Sequence, residues 1–135
     1  MSRGLRNRNP GNIRRSKTTY MGEVTSSDPD FKAFESMPWG YRAMFVLLDT
    51  YKRRHGCNTL RQMITRWAPP IENDTESYIQ TVAKRSLVSA DSPISTDNKE
   101  IMVPIVKAMS LVENGKAAVD AEVEAGWKLF IQHRP

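Results

Sequence analysis

One cysteine and two histidines are all that 135 residues hold of those types. Cys57 has no second thiol to pair with, which excludes an internal disulfide framework and a structural zinc site built on cysteines. His55 and His133 both lie among basic residues at the ends of expected helices, where surface or dipole roles suit them better than ligation or catalysis. No Gly-rich phosphate loop and no His-Glu-x-x-His helix is present. Neither a metal nor an organic cofactor is implied. The longest clearly apolar stretch, Ala43 to Leu48, is far short of the ~20 residues that span a bilayer. The opening ten residues carry positive charge without an apolar region behind it, so no secretory signal is expected. These absences predict a protein made in the cytoplasm, then virion-associated or released to the periplasm if it acts outside the cell.

What is present suits an ordinary globular core. Hydrophobic residues make up 39% and charged residues 26%, and one domain over 1–135 is expected at this length. The formal charge is +5, but it is unevenly spread. Residues 1–17 hold Arg3, Arg6, Arg8, Arg14, Arg15 and Lys17 with no acid, and the remainder is nearly neutral. This basic arm can meet phosphate, anionic lipid or an anionic glycan, or can simply be a solvated terminus. The neutral remainder argues against an extended phosphate track, and no reading helix is recognisable, so a nucleic-acid partner is disfavoured.

Asn9-Pro10-Gly11-Asn12 is a dense turn signal. Thr18 to Tyr20 favour a strand, and Ser26 to Asp30 read as the turn of a small hairpin or extended segment ending near Phe34. Beyond Ser36 the pattern is helical. Apolar residues recur at Tyr41, Met44, Phe45, Leu48 and Tyr51, with Ser36 as cap, Pro38 in the first turn and Gly56 as the stop. A second helix is expected from Thr59 to about Trp67, and a third capped by Asp74 or Thr75. A fourth runs through Ile101 to Val112, with Pro104 implying a kink or late start. The last places Val119, Val123, Trp127 and Phe130 on one face. The fold class is therefore mainly α (α+β), with any sheet confined to residues before Ser36.

Glu113 is the leading candidate for chemistry. It ends an apolar helix, where the negative end of the helix dipole disfavours its charge. Leu111 and Val112 add desolvation in the same direction. Both favour a protonated acid, as protonating a leaving oxygen requires. The plain alternative is a solvent-facing Glu before a capping Asn-Gly. Glu23 is the second candidate carboxylate. Trp67 and Tyr78 could line a sugar-binding groove by stacking, although aromatics at helical spacing equally suit a core.

Four blocks carry a resemblance. Arg6-Asn7-Arg8-Asn9-Pro10-Gly11-Asn12-Ile13-Arg14, then Phe31-x-x-Phe34-x-Ser36 with Gly40-Tyr41-Arg42-Ala43, then Arg66-Trp67-Ala68-Pro69-Pro70, and finally Glu113-Asn114-Gly115 resemble small phage and prophage proteins. Those are described as virion structural or lysozyme-like proteins. The resemblance spans roughly residues 4 to 116. Residues 116–135, with their amphipathic helix, lie outside it, and Arg8 stands where the family tends to have Asn. The order of blocks is also similar to flagellar-type glucosaminidases and lysozyme-like enzymes, with the helix-end Glu moved toward the other terminus as in a circular permutation. The resemblance implies a lysozyme-like helical domain that cleaves peptidoglycan as a lytic transglycosylase or muramidase. It implies Glu113 as acid, Glu23 as second carboxylate, and Asn9, Asn12, Trp67, Asn73 and Tyr78 as glycan contacts. It equally allows a non-catalytic virion or prophage module that binds peptidoglycan, with other virion proteins as partners.

Overall fold

The computed structural model describes residues 1–135. Six helices and one two-stranded antiparallel sheet follow in the order α1 (Arg3–Arg6), β1 (Glu23–Val24), β2 (Ala33–Phe34), α2 (Met37–His55), α3 (Leu60–Trp67), α4 (Thr75–Ser86), α5 (Lys99–Asn114) and α6 (Asp120–Gln132). The mainly helical class and the confinement of the sheet to residues before Ser36 agree with expectation. The strands pair Glu23 with Phe34 and Val24 with Ala33. Most of the segment between Ile13 and Phe34 is loop.

The helix ends follow local chemistry. The Thr59 hydroxyl accepts from the Gln62 amide while the Gln62 side chain accepts from the Thr59 amide, which closes a capping box on α3. Asp74 caps α4 through the Ser77 amide. Gly56 and Gly115 end α2 and α5 with φ of 65° and 67°, left-handed values that glycine adopts at least cost. Ser36 departs from expectation: its hydroxyl makes no capping bond, and its carbonyl accepts from Gly40 N instead. Pro104 falls inside α5, which starts ahead of it at Lys99 rather than late. Val119 was expected on the buried face of the last helix. It precedes that helix and is 55% exposed.

Packing places α2 along α6 and α4 along α5. Phe45 of α2 meets Trp127 edge-on at 5.0 Å and Phe130 at 6.0 Å, so α6 closes the core with its own aromatics. The basic stretch is not a free arm. Ser2 caps α1, and Arg3 is held by Asp28 and Asp30 at 2.6 and 3.0 Å. The bond from Arg3, followed by that from the Asp30 backbone amide, keeps the Asp28 carboxyl well below the usual carboxylate range.

Gly40 on α2 lies directly against the N-terminal loop. A Cβ there would come within 2.3 Å of the Arg8 carbonyl oxygen and 2.6 Å of Pro10 Cδ. Gly40→Ala gains helix propensity of about 1 kcal/mol, but overpacking against fixed backbone costs ~1–3 kcal/mol. With fixed backbone only 2.3 Å away the upper end of that cost applies, so a net loss of about 2 kcal/mol is expected in chemical denaturation. An unchanged or raised midpoint would show that the loop can move away freely.

Candidate functional site

The loop after α1 is pinned from within. Asn9 is fully buried. Its amide nitrogen donates to the carbonyls of Ile13 and Lys32, and its oxygen accepts from Ile13 N. Asn9 thus lies inside the loop and presents nothing to a ligand. Asn12 follows with φ of 49°, in the left-handed region that asparagine tolerates better than most residues. Gly11 faces Trp67 so closely that a Cβ would sit 2.7 Å from the indole, which lets the loop close onto the end of α3.

A cleft of about 500 Å³ opens where this loop meets α2, α3, the 68–73 segment and the end of α5. Glu113 sits in its wall, half-buried. Asn12 Nδ2 donates to Oε1 at 2.9 Å, and the Tyr78 hydroxyl donates to Oε2 at 2.9 Å. Burial pushes the Glu113 carboxyl above its ordinary value, against the pull of Asn12, Tyr78, Trp67 and the positive charge of Arg14. Tyr78 is pushed well above its own range by burial and by the Glu113 charge. Asn12 Oδ1 is buried with no donor.

The next residue tightens the same junction. Asn114 Nδ2 donates to the carbonyls of Pro10 and Ser110, and its Oδ1 accepts from the Ser2 hydroxyl at 2.7 Å. The first and last motif blocks of the sequence therefore meet in space, and together they shape the wall around Glu113.

The other named residues divide. Trp67 lines the cleft and meets Tyr51 edge-on at 6.1 Å. Asn73 lines it too, with Nδ2 donating to the Pro69 carbonyl. Asn12 lines it beside Glu113. Tyr78 is buried behind Glu113 and offers the cleft no surface of its own. Glu23 is elsewhere: it accepts both from the Tyr20 amide and from Lys32 Nζ, at 3.1 Å, and it does not line the cleft. Its partner Lys32 is only 2% exposed and also donates to the Thr18 carbonyl at 2.7 Å.

Sequence reading missed several wall residues. Arg15, Tyr51, Arg66 and Glu72 all line the cleft, and Arg14 bridges to Glu72 at 3.2 Å. Arg66 carried a signal as part of the Arg-Trp-Ala-Pro-Pro block, Glu72 as its close neighbour, and Arg15 as part of the basic stretch read as able to meet an anionic glycan. No cluster of three or more metal-ligating side chains is present.

No family model matches the chain. Over 118 residues it is 36% identical to Protein P5 of Pseudoalteromonas phage PM2, a match covering 84% of this chain and 72% of that protein. The chain belongs to the P5 family. P5 is a phage protein, in keeping with the phage resemblance of the four blocks. The name of that relative states no activity. No helix of this P5 relative is long and apolar enough to cross a membrane.

Proposed function

We propose that this P5-family protein is a virion-associated phage protein that engages the host's peptidoglycan, with a glycan strand lying in the cleft over Glu113. Its relationship to a phage protein supports the virion assignment, and other virion proteins are then its natural partners. The glycan reading rests on one observation: a carboxyl whose protonated form is favoured by burial, facing an open cleft between aromatic and amide side chains. Such a group can donate a proton to a glycosidic oxygen.

If a bond is cut, transglycosylase chemistry suits the site better than hydrolysis. A hydrolase needs a second carboxylate, at roughly 5–5.5 Å for a nucleophile or 6.5–9.5 Å for a base that activates water. Glu23 is held by Lys32 away from the cleft, and Glu72 is occupied by Arg14. In the transglycosylase route Glu113 gives its proton to the bridging oxygen as the bond from the anomeric carbon breaks. It then takes the proton of the substrate's own hydroxyl as that oxygen bonds the anomeric carbon, leaving an anhydro end. A lysozyme-like ancestry with permuted order forms part of this proposal. The Ser2–Asn114 bond supports it, since it joins the two ends of the segment that carries the four blocks, as a permuted unit requires.

A second reading keeps the binding and drops the chemistry. The grip of Asn12 and Tyr78 on Glu113 favours it, because a carboxylate that ties three segments together has a structural reason to be there. Purified sacculi separate the two. Soluble muropeptides with anhydro ends are expected by mass spectrometry. Reducing ends would indicate a hydrolase, and co-sedimentation without products the binding module. Neither binding nor products would overturn the cell-wall reading altogether.

A further inference from the structure

The cleft carries a charge pattern that a neutral sugar chain does not need. Three arginines line it, Arg14, Arg15 and Arg66, against two acids, Glu72 and Glu113. Arg14 and Glu72 neutralise each other, and Glu113 is enclosed by its own donors. Arg15 and Arg66 are left without a carboxylate. Arg15 donates through Nε and one terminal nitrogen to the carbonyls of Asp28 and Ser26, which fixes its position without cancelling its charge. Arg66 lies over the Tyr51 ring at 5.2 Å, with one nitrogen 3.3 Å from His55 Nε2. Arg3, Arg53, Arg61 and Arg134 find acidic partners and Arg6, Arg8, Arg54 and Arg85 do not, so what sets Arg15 and Arg66 apart is that their unpaired charge lines the cleft. The two open guanidinium groups are therefore set in the cleft on separate elements, one on the N-terminal loop and one on α3.

We propose that Arg15 and Arg66 make the cleft selective for an acidic glycan, meeting carboxylates borne by the strand, so that acid-bearing peptidoglycan is preferred over a neutral polysaccharide of the same backbone. This rests on the glycan reading above and names the specificity of that site. A guanidinium presents a planar fork of donors that matches a carboxylate with two parallel bonds. Widely spaced carboxylates suit two separated arginines. A nucleic acid, with a phosphate at every unit, would instead call for a longer basic track than two separated guanidinium groups provide.

Binding of the full chain to purified sacculi tests this, before and after carbodiimide amidation of their carboxylates. Amidation is expected to weaken wild-type binding about three- to tenfold, the range for one or two partly exposed charge pairs. Arg66→Gln, alone and with Arg15→Gln, should lose a similar factor on native sacculi and nothing further on amidated sacculi. Arg66 holds no loop in place, so its single variant remains informative if the double variant loosens the 26–28 turn, which a melting curve would report. Equal wild-type binding to native and amidated sacculi overturns the proposal and leaves the glycan reading standing. Binding to neither fails both. Tighter binding to a single-stranded DNA oligomer than to native sacculi would also overturn it and assign the two arginines to phosphate.

Discussion

Glu113→Gln should lower release of anhydro-muropeptides by a factor on the order of 10² to 10⁴, the usual worth of general acid catalysis. The substitution keeps the shape of the side chain and an oxygen able to accept from Asn12, while removing the proton that titrates. Binding to sacculi should be little changed, which separates loss of chemistry from loss of the cleft. Stability supplies a second readout. Because burial raises the Glu113 carboxyl above its ordinary 4.5, the folded chain holds that proton to a higher pH than the unfolded chain does. The stabilising contribution is fully present below the ordinary value and is lost as pH climbs through the raised one. The wild type should thus match the Gln variant near pH 4 and fall below it in melting temperature toward pH 8. A variant that cleaves as well as wild type would remove Glu113 from the chemistry, and a pH-independent difference in melting temperature would show that its carboxyl is not raised.

Glu23→Gln is expected to act on stability instead. It leaves Lys32, 2% exposed, as a buried ammonium with only carbonyl oxygens and a neutral amide around it. Breaking one side of a buried pair typically costs 3–5 kcal/mol. Glu23 is 18% exposed, so the lower end, about 3 kcal/mol, is the expectation, with a melting point down by ~10 °C. Adding Lys32→Met should recover much of the loss, since the unpaired charge goes with it. Glycan cleavage per folded molecule should stay near wild type in both. Should Glu23→Gln keep its melting point and lose turnover, Glu23 takes part in the chemistry after all and the structural role given to its ion pair is wrong.

Much of the fold was legible because its signals are local. Repeating apolar residues at Tyr41, Met44, Phe45 and Leu48 and at Tyr78, Ile79 and Val82 mark faces that are in fact buried. Gly56, Gly115, Thr59 and Asp74 mark ends through chemistry confined to one helical turn. The site was legible only in part. The raised carboxyl at Glu113 was foreshadowed by its helix-end position and apolar approach, and burial is its leading cause in the structure. Asn9 and Tyr78 looked like ligand contacts because amides and phenols often are; their burial depends on segments 4 and 35 residues away in the chain. The pairing of Lys32 with Glu23, and with it the removal of Glu23 from the cleft, depends on a loop closure that no periodicity encodes. Within the basic stretch, Arg3 finds Asp28 twenty-five residues later, a pairing that no local pattern shows.

The bond between Ser2 and Asn114 spans 112 positions, and that between Asn12 and Glu113 spans 101. Contacts so distant along the chain close late, because the entropy of the intervening loop must be lost before they form. During synthesis the helices α2 to α4 can pair locally while the N-terminal loop still waits for the end of α5 to emerge from the ribosome. The wall that holds the acid is then among the last parts of the protein to take shape. A nascent or truncated chain lacking residues 113 and 114 has no such wall, so whatever this cleft does begins only once translation has passed that point.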